Sequence, residues 1–501
     1  MYSIGMKSLA LAKTVSDLDA QAQNTACLPA LVLMESAGLQ IFEAWKHELE
    51  SPDRLVFLCG SGNNGGDALV AARYAWNAGY TNSLLVLLPK QGSPSYQQQR
   101  AIVQSYGFET LVWEPDQHTR VQDELNAAAW IVDGLFGTGL SGELRGDARL
   151  LVEFANASQA KKLAIDIPSG LGDEVPASSL HFHADLTVTM GLEKLAMFHP
   201  ASRASCGRIV TVNPTFPPFL MEKAPSAALL CDRTKACIAP LASHEYKNSR
   251  GHVAVFSLSE HYTGAARLAA RACFFARSGL VTLYCDREVL PIAASEAPSL
   301  MVRTYEGQDL PSYDAILAGP GWGSGREALL QTLFGTGTPL VLDADGIRCY
   351  AHLLKQGMEI SHGPLILTPH LGELKALCEA VSLPPGVLDT PRSFFSALEE
   401  LSHRLHATLV VKSSLVHVAS EKEKVIVIEG LNPSLGVGGS GDVLGGIIAA
   451  LLAKLKDPVL CAVEGALIHQ DAGRKAQLAC GYYDSETLLN FVGKAVEEAE
   501  A

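Results

Sequence analysis

The sequence predicts an α/β protein with two successive domains, each built on an open and mainly parallel sheet. Short apolar runs of strand character alternate with helical segments along the chain, which is typical of parallel sheets covered by helices. Glycine-rich turns follow several of these runs directly, as they do at the ligand-binding edge of such sheets. The proline cluster Asn213–Phe219 stops both helix and sheet, so we expect domains at 1–220 and 221–501.

Composition argues against several classes of partner. Of the 501 residues, 48% are apolar, which is enough to bury large cores. The formal net charge of −14 would repel nucleic acids and anionic membranes, so we expect neither as a partner. The cysteines form no Cys-x-x-Cys pair, which indicates a reduced, cytoplasmic protein without a disulfide framework or zinc site. No apolar run approaches the roughly 18 residues of a membrane span, and Leu9–Ala12 is too short for a signal peptide.

The N-terminal half begins with a helical segment and continues into a strand, a glycine-rich turn and another helix. Apolar side chains recur at helical spacing within Val15–Leu49, which predicts an amphipathic lead-in. The strand Leu55–Cys59 is followed by the turn Gly60–Asp67 and the helical Ala68–Tyr74. Backbone N–H groups at such a turn bind phosphate, so the arrangement favours a phosphate or dinucleotide ligand. The alternative is an ordinary strand-to-helix turn whose glycines serve only the backbone.

Two further loops place an aspartate directly after a strand. Ala129–Val132 is followed by Asp133–Glu143, and Leu163–Ile165 is followed by Asp166–Leu171. Since parallel strands end at one edge of a sheet, these loops and the first turn are expected to converge on one crevice. A doubly wound sheet of about six to eight strands is completed by Leu84–Leu88, Leu186–Met190 and Arg208–Val212.

The strongest functional signal lies in the C-terminal half, at Asn432–Asp442. Four glycines fall within six residues there, and the apolar run Val443–Lys454 that follows has the length and composition of a buried helix. Amides at the positive end of this helix would bind an anion, above all a phosphate. A carboxylate beside bound phosphate is repelled, so Asp442 is a poor phosphate ligand and a suitable general base. The alternative is that Asp442 only caps the helix.

Strands and helices alternate through the rest of this half. The predicted strands are Gly251–Ser257, Leu280–Cys285, Ala315–Ala318, Leu340–Leu342, Leu365–Leu367, Leu409–Val411, Val416–Val418 and Val425–Ile428. The last three are closely spaced and predict a hairpin-rich edge of the sheet. Loops at strand ends carry Asp314–Gly323, Val341–Gly346 and Thr368–Glu373. A single histidine such as His370 is more often structural, but its place between a strand end and a turn favours a functional role.

The N-terminal half resembles the NAD(P)H-hydrate epimerases, a family with a Rossmann-like doubly wound sheet. Three motifs in the family's order carry the resemblance: Met34–Gly38, Asn63–Asp67 and Asp166–Gly170. Asp166 lies in a strand-end loop, where a carboxyl group beside the ring can move the proton needed for epimerisation. The resemblance implies a hydrate site made of Asn63, Asn64, Gly65, Gly66, Asp67, Gly137, Thr138, Gly139, Leu140, Ser141, Gly142, Glu143 and Asp166, and a potassium site made of Asn64, Asp133 and Ser169. Ala68 stands where the family commonly has glycine, and its methyl group is expected to narrow the turn slightly.

The C-terminal half is similar to the ribokinase-like ADP/ATP-dependent NAD(P)H-hydrate dehydratases across residues 240 to 490. The similarity implies that Asp442 is catalytic and that Mg²⁺ bridges the phosphates of the nucleotide. It implies hydrate binding by Ala265, Gly321, His370 and Asp442, and binding of ADP or ATP by Lys412, Ser413, Ser414, Leu415, Val416 and Gly441. The turn at Lys412–Val416 lacks the glycines usual in the family, so weakened nucleotide binding is expected.

Together the two resemblances imply a bifunctional isomerase and lyase of metabolite repair. The N-terminal half would interconvert the R and S forms of hydrated NADH and NADPH. The C-terminal half would dehydrate the S form at the expense of ADP or ATP, giving NAD(P)H, phosphate and AMP. Two alternatives stay open at this point: a ribokinase-like kinase of a small alcohol, and a binding module with one catalytically silent half. We also expect the protein to form a homo-oligomer.

Overall fold

The computed structural model describes residues 5–89, 92–257, 259, 262–295, 298–358 and 360–500. The chain divides into two compact units. The N-terminal unit consists of residues 8–228 and a short later segment, Leu388–Phe394. The C-terminal unit consists, in the described part of the chain, of residues 5–7, 229–387 and 395–500. Each unit therefore includes a short segment from the other half of the sequence.

The first sixteen helices and strands run from residue 6 to residue 221. In chain order they are β1 (Met6–Ala10), α1 (Ala12–Asn24), α2 (Ala30–Trp45), β2 (Leu55–Cys59), α3 (Asn63–Asn77), β3 (Ser83–Leu87), α4 (Pro94–Tyr106), β4 (Glu109–Val112), α5 (His118–Ala127), β5 (Trp130–Gly134), α6 (Gly146–Ala157), β6 (Lys161–Ile165), β7 (Leu186–Met190), β8 (Glu193–Lys194), β9 (Arg208–Val212) and α7 (Pro218–Met221). The predicted helical lead-in is two helices, because Pro29 lies at the N-cap of α2 and cannot continue α1.

Seven of these strands form one sheet in the order β4-β3-β2-β5-β6-β7-β9. Every neighbouring pair in it is parallel. Along β2, Leu55 and Phe57 face one hydrophobic core while Val56 and Leu58 face another, so both faces of the sheet are covered. The predicted doubly wound sheet is confirmed. The strand order reverses between β2 and β5, and this switch point is where open α/β sheets bind ligands.

The remaining helices and strands build the C-terminal unit. In chain order they are β10 (Ala228–Cys231), β11 (His252–Phe256), α8 (Thr263–Phe275), β12 (Leu280–Cys285), α9 (Leu290–Ser295), β13 (Met301–Thr304), β14 (Ala315–Ala318), α10 (Glu327–Gly335), β15 (Leu340–Leu342), α11 (Asp345–Lys355), β16 (Leu365–Leu367), α12 (Leu371–Ala380), α13 (Pro391–Arg404), β17 (Ala407–Lys412), β18 (Leu415–Ala419), β19 (Ile426–Glu429), α14 (Ser440–Leu455), α15 (Pro458–Cys480) and α16 (Ser485–Ala499). No helix within the described ranges is both long and apolar enough to cross a bilayer.

The sheet of the C-terminal unit follows the same plan as the first. Its strand order is β13-β12-β11-β14-β15-β16-β17-β18-β19-β10, with a reversal between β11 and β14. Pairing is parallel from β13 to β17 and antiparallel from β17 to β19. The hairpins were predicted, but their place at an edge was wrong, because β10 pairs in parallel with β19.

Helix α14 is buried along nearly its whole length. Its side chains from Val443 to Ala453 are all buried, and it lies against α8 and α15. A helix that is apolar on every side requires such an interior position. The rigid setting of α14 fixes its first turn, which carries Asp442.

Candidate active sites

A cavity of about 540 Å³ lies in the N-terminal unit where β2, β5 and β6 end. The three loops predicted to converge do so here. The predicted residues that line the cavity are Asn63, Asn64, Asp67, Gly137, Thr138, Gly139 and Asp166. Six other predicted hydrate ligands, Gly65, Gly66, Leu140, Ser141, Gly142 and Glu143, are not among the residues that line it.

Gly65 and Gly66 have a packing function in the structure. A Cβ atom at Gly65 would lie 1.8 Å from the carbonyl oxygen of Gly60, and one at Gly66 would lie 2.4 Å from the Met34 side chain. Both glycines therefore allow α3 to lie close to its neighbours. Ala68 is fully buried, and a Cβ at Gly134 would lie 2.5 Å from its methyl group, so this methyl lies against β5 and does not line the cavity.

Gly137 leaves room between two polar side chains of the cavity. A Cβ atom there would lie 3.3 Å from Asn64 Oδ1 and 3.2 Å from Asp166 Oδ2. Asn64 is only 8% exposed, and its Nδ2 has no hydrogen-bond partner among the described residues. An unpaired buried amide is costly, so this group fits a polar ligand in the cavity.

Asp166 is anchored through one of its two oxygens. Its Oδ1 forms an ion pair with Lys194 and accepts a hydrogen bond from the N–H of Met190 at 3.2 Å. Its backbone has a φ of +69°, which is uncommon for a residue with a side chain and indicates a functional constraint. Oδ2 is the oxygen beside Gly137, so it is the one that faces the cavity.

Lys194 was not predicted from the sequence. It is fully buried and donates its other two hydrogen bonds to Thr189 Oγ1 at 2.7 Å and Met190 O at 3.0 Å. Burial lowers the pKa of Lys194, and the negative charge of Asp166 opposes that effect. The sequence does contain one sign that Lys194 has a special role: the charged residues Glu193 and Lys194 interrupt the otherwise apolar segment Met190–Phe198.

Two further carboxyl groups line the same cavity. Burial raises the pKa of Asp67 well above its usual range, and the negative charges of Asp166 and Asp19 add to the shift. Burial also raises the pKa of Asp19, against a hydrogen bond from Gln23, and Asp166 adds to the rise. Asp19 belongs to α1, which the sequence indicated only as an amphipathic lead-in.

Asp133 and Ser169, two of the predicted potassium ligands, contact each other directly. Asp133 is fully buried and accepts hydrogen bonds from Ser169 N at 2.8 Å, Ser169 Oγ at 2.7 Å and Leu135 N at 3.1 Å. Burial raises the pKa of Asp133 to about 6, although these bonds oppose the shift. Asn64 follows the neighbouring strand, and a Cβ at Gly134 would lie 3.0 Å from its carbonyl oxygen. Carboxylate, hydroxyl and carbonyl oxygens of this kind fit a hard monovalent cation.

In the C-terminal unit, the predicted anion site is the first turn of α14. Gly439 is the N-cap residue with a φ of +91°, and Gly441 and Asp442 follow in the first turn. Among the described residues, no backbone acceptor bonds the N–H of Gly441 or Asp442. The loop is fixed by a hydrogen bond of 2.7 Å from Ser485 Oγ to Gly438 O. Free amides at the positive end of a helix favour an anionic ligand.

Lys412 and Asp343 lie beside this turn. Lys412 Nζ is 2.5 Å from Asp343 Oδ1 and 3.3 Å from where a Cβ at Gly441 would be. Asp343 also accepts a hydrogen bond of 2.8 Å from Thr368 Oγ1. A cation is normally unfavourable at a helix N-terminus, so its position there indicates a site for an anion.

Asp442 has the electrostatics of a general base at neutral pH. Burial raises its pKa to about 7, and the negative charges of Asp343 and Asp345 contribute to the rise while Lys412 opposes it. A base with a pKa near the working pH is well suited to proton transfer. Asp343 was noted in the sequence only as part of an acidic loop, and its effect on Asp442 could not be seen there.

The predicted nucleotide segment Lys412–Val416 is the hairpin turn between β17 and β18. Ser413 closes this turn, since both its N–H and its hydroxyl donate to Leu415 O, at 3.0 Å and 2.7 Å. The side chains of Leu415 and Val416 are buried, whereas Ser414 is exposed. The two apolar side chains therefore pack in the core and do not form a ligand-binding surface.

Of the residues predicted for the second hydrate site, Ala265 and Gly321 lie side by side. Gly321 has a φ of +59°, and a Cβ there would lie 3.3 Å from that of Ala265. His370 is the N-cap of α12, where its Nδ1 accepts from the N–H groups of Gly372 and Glu373 at 2.9 and 3.2 Å. His370 is thus a structural cap. Its isolated β-bridge to Lys412 also places it where the parallel strands have their carboxyl ends.

A second cavity, of about 840 Å³, lies in the C-terminal unit beside the Gly321 loop. Its wall includes Trp322, Gly323 and Asp345. Gly323 donates a hydrogen bond of 2.9 Å to Asp345 Oδ2. The sequence indicated a close backbone approach at this loop but not the cavity.

Two family models match the chain. The model of NAD(P)H-hydrate dehydratase matches residues 253–492, and that of the YjeF-related protein N-terminus matches residues 30–196. Among solved structures, the chain is similar to the ADP/ATP-dependent NAD(P)H-hydrate dehydratase of Bacillus subtilis, with 21% identity, a TM-score of 0.46, and coverage of 53% of this chain and 96% of that one.

Curated relatives match over most of their length. The bifunctional NAD(P)H-hydrate repair enzyme of Gloeobacter violaceus is 32% identical, and the match covers 89% of each chain. The enzyme of the same name from Moorella thermoacetica is 29% identical over 93% of this chain and 92% of that one. The chain belongs to the family of bifunctional NAD(P)H-hydrate repair enzymes.

Proposed function

We propose that this protein repairs hydrated NADH and NADPH in two steps. The first step interconverts the R and S hydrates, and the second dehydrates the S form with ADP or ATP to give NAD(P)H, phosphate and, from ADP, AMP. We assign the first step to residues 1–220 and the second to 221–501. The observation that supports this assignment best is the first turn of α14, where Asp442, two free amides and Lys412 lie together.

In the epimerase half, Asp166 is the proposed proton carrier. Lys194 and the Met190 amide hold Oδ1, so Oδ2 is directed toward the cavity beside Gly137. Asn64 Nδ2 is available to donate a hydrogen bond to the bound hydrate. These contacts orient the substrate, and Asp166 moves a proton at the C6 hydroxyl group. We further propose that Asn64, Asp133 and Ser169 hold a potassium ion, which would supply positive charge near the diphosphate.

In the dehydratase half, Asp442 is the proposed general base. It takes the proton of the C6 hydroxyl as that oxygen attacks the terminal phosphoryl group of the nucleotide. The amides of Gly441 and Asp442 and the Lys412 ammonium stabilise the negative charge of the transferred group. Hydroxide leaves poorly and phosphate leaves well, so phosphorylation permits the elimination that restores the nicotinamide double bond.

Magnesium fits this site together with the nucleotide. Among the described residues, no three acidic, histidine or cysteine side chains are arranged to hold a metal ion. Mg²⁺ usually binds through substrate phosphates with only one or two carboxylates, so Asp343 and Asp345 are the proposed protein ligands or water-mediated contacts. When bound, the ion would neutralise charge on the phosphates.

The test uses the purified protein, mixed NADH hydrates, Mg²⁺ and either ADP or ATP. Recovery of NADH, followed by its absorbance, together with release of phosphate is the expected result. A stable phosphorylated product without NADH would favour a small-molecule kinase instead. Binding of the hydrates without any product would favour a catalytically silent module.

A further inference from the structure

Helix α1 forms one wall of the N-terminal cavity. It contributes Val15, Ser16, Asp19 and Gln23, whose spacing places them on one face of the helix. Of these side chains, only Asp19 is ionisable. The other acidic groups of the cavity come from other elements: Asp67 from α3 and Asp166 from the loop after β6.

Asp19 differs from an ordinary surface carboxylate. Two residues earlier, Asp17 is exposed and forms an ion pair with Lys13 on the same helix. Asp19 is half-buried, and its Oδ2 accepts a hydrogen bond of 2.9 Å from Gln23 Nε2. Among the described residues, no basic group pairs with it. Burying an unpaired carboxyl group is unfavourable, so its position requires a reason.

The carboxyl groups of this cavity fall into two kinds. Asp166 has a cation partner in Lys194, whereas Asp19 and Asp67 have none among the described residues. Burial raises the pKa of Asp19 and Asp67, which favours their protonated forms. The unpaired Asn64 Nδ2 in the same cavity independently indicates that a polar ligand binds among these groups.

Epimerisation at C6 needs two proton-transfer groups. One group gives a proton to the C6 hydroxyl as the C–O bond breaks, and both electrons leave with the oxygen as water. The ring nitrogen stabilises the planar cation that results. Water then adds to the opposite face, a new C–O bond forms, and its extra proton passes to a second group. Nothing is oxidised or reduced, and no other reactant is required.

We propose that Asp19 is the second acid–base residue of epimerisation and acts from the α1 wall while Asp166 acts from the strand ends. A single carboxyl group cannot reach both faces of a planar centre, and these two come from different walls of one cavity. The inference rests on the proposed epimerase function. It adds a catalytic residue that the glycine-rich motifs do not contain.

The test compares Asp19→Asn with the control Asp17→Asn. Both variants remove one negative charge from α1, but Asp17 does not line the cavity. The pure R hydrate of NADH, (R)-NADHX, is supplied. The S hydrate, (S)-NADHX, is measured after separation of the epimers, and the spontaneous rate of epimerisation is subtracted. For Asp19→Asn we expect kcat to fall by roughly 10²- to 10⁴-fold with KM little changed. Dehydration of (S)-NADHX and the activity of Asp17→Asn should match the wild type.

Several outcomes would overturn the proposal. They are a wild-type kcat in Asp19→Asn, a higher KM at unchanged kcat, or an equal loss in Asp17→Asn. Asp19→Glu keeps a carboxyl group and is expected to recover part of kcat, so it decides the question should Asp19→Asn fail to fold. Equal loss in Asp19→Glu and Asp19→Asn at a wild-type Tm would also count against the role. If the wild type itself does not interconvert the epimers, the epimerase function fails instead.

Discussion

Asp166 and Asp442 have different electrostatic surroundings, which suit them to different chemistry. Asp166 is anchored by Lys194 and a backbone amide, so it presents one fixed oxygen to the cavity. Asp442 lies near Asp343 and Asp345, and its pKa is raised to about 7. It can therefore accept and release a proton near neutral pH.

Dehydration should depend on the ionisation of Asp442. A base acts in its deprotonated form, so kcat/KM for (S)-NADHX is expected to rise with pH, with a midpoint near 7. In Asp343→Asn the midpoint should move to lower pH, because a negative neighbour that raises the pKa of Asp442 is removed. The measurement is the pH profile of NADH recovery.

The control for this profile is Asp309→Asn, which changes an exposed carboxylate of the same unit. Its midpoint should equal that of the wild type. A profile with the same midpoint in Asp343→Asn and the wild type would show that Asp343 does not act on the base.

Asp442→Asn should still bind the hydrate but lose turnover.

The proposed potassium site makes a prediction for Asp133. Ligands that bind only the folded state stabilise it, so potassium chloride should raise the Tm of the N-terminal unit more than tetramethylammonium chloride does. Asp133→Asn is expected to lose that difference, since the buried carboxylate is removed. The exposed control Asp147→Asn should keep it. Thermal unfolding in the two salts is the measurement, and an equal response in all three proteins would reject the site.

Single residues were predicted from the sequence when they lay beside a local motif. Asp166 and Asp442 each adjoin a strand end or a glycine-rich turn, so their positions could be predicted from nearby residues. Asp19 reaches the cavity from α1, Lys194 reaches Asp166 from β8, and no local pattern connects either residue to Asp166. Such residues depend on tertiary packing.

At the scale of elements, the turn that opens α14 depends on one glycine more than on its neighbour. Gly439 has a φ of +91°, and a Cβ there would lie 2.5 Å from Leu268 Cδ1. A Cβ at Gly438 would meet nothing within 4 Å. Gly439→Ala is therefore expected to lower the free energy of unfolding by ~1–3 kcal/mol, whereas Gly438→Ala should cost less.

Chemical denaturation of the two alanine variants measures this difference. The Gly439→Ala variant should also lose dehydratase activity, because the amides of Gly441 and Asp442 would be displaced. Equal stability of the two variants would contradict the importance given to the left-handed backbone at Gly439.

Buried central strands were the elements best predicted from the sequence. β2, β7 and β15 have the predicted bounds, since apolar runs bounded by turn residues leave little choice of register. β4 was missed because it is an edge strand whose side chains are only partly buried, and β10 because its parallel partner β19 comes much later in the chain. Their pairing partners, not their own composition, make them strands.

At the scale of the whole molecule, the same architectural plan occurs twice. Each unit has an open sheet whose strand order reverses once, and each candidate site lies at strand ends near a glycine-rich helix N-terminus. Fusion of the two activities in one chain is reasonable, because one half produces the epimer that the other half consumes. The activities should therefore be separable by single substitutions.

A mixing experiment with two inactive variants tests that separation most directly. With pure (R)-NADHX, Mg²⁺ and ADP, neither Asp166→Asn nor Asp442→Asn alone should regenerate NADH faster than spontaneous epimerisation allows. An equimolar mixture of the two should restore rapid NADH recovery, since each variant supplies the step that the other lacks. Rapid recovery with either variant alone, or none with the mixture, would contradict the assignment of one step to each site.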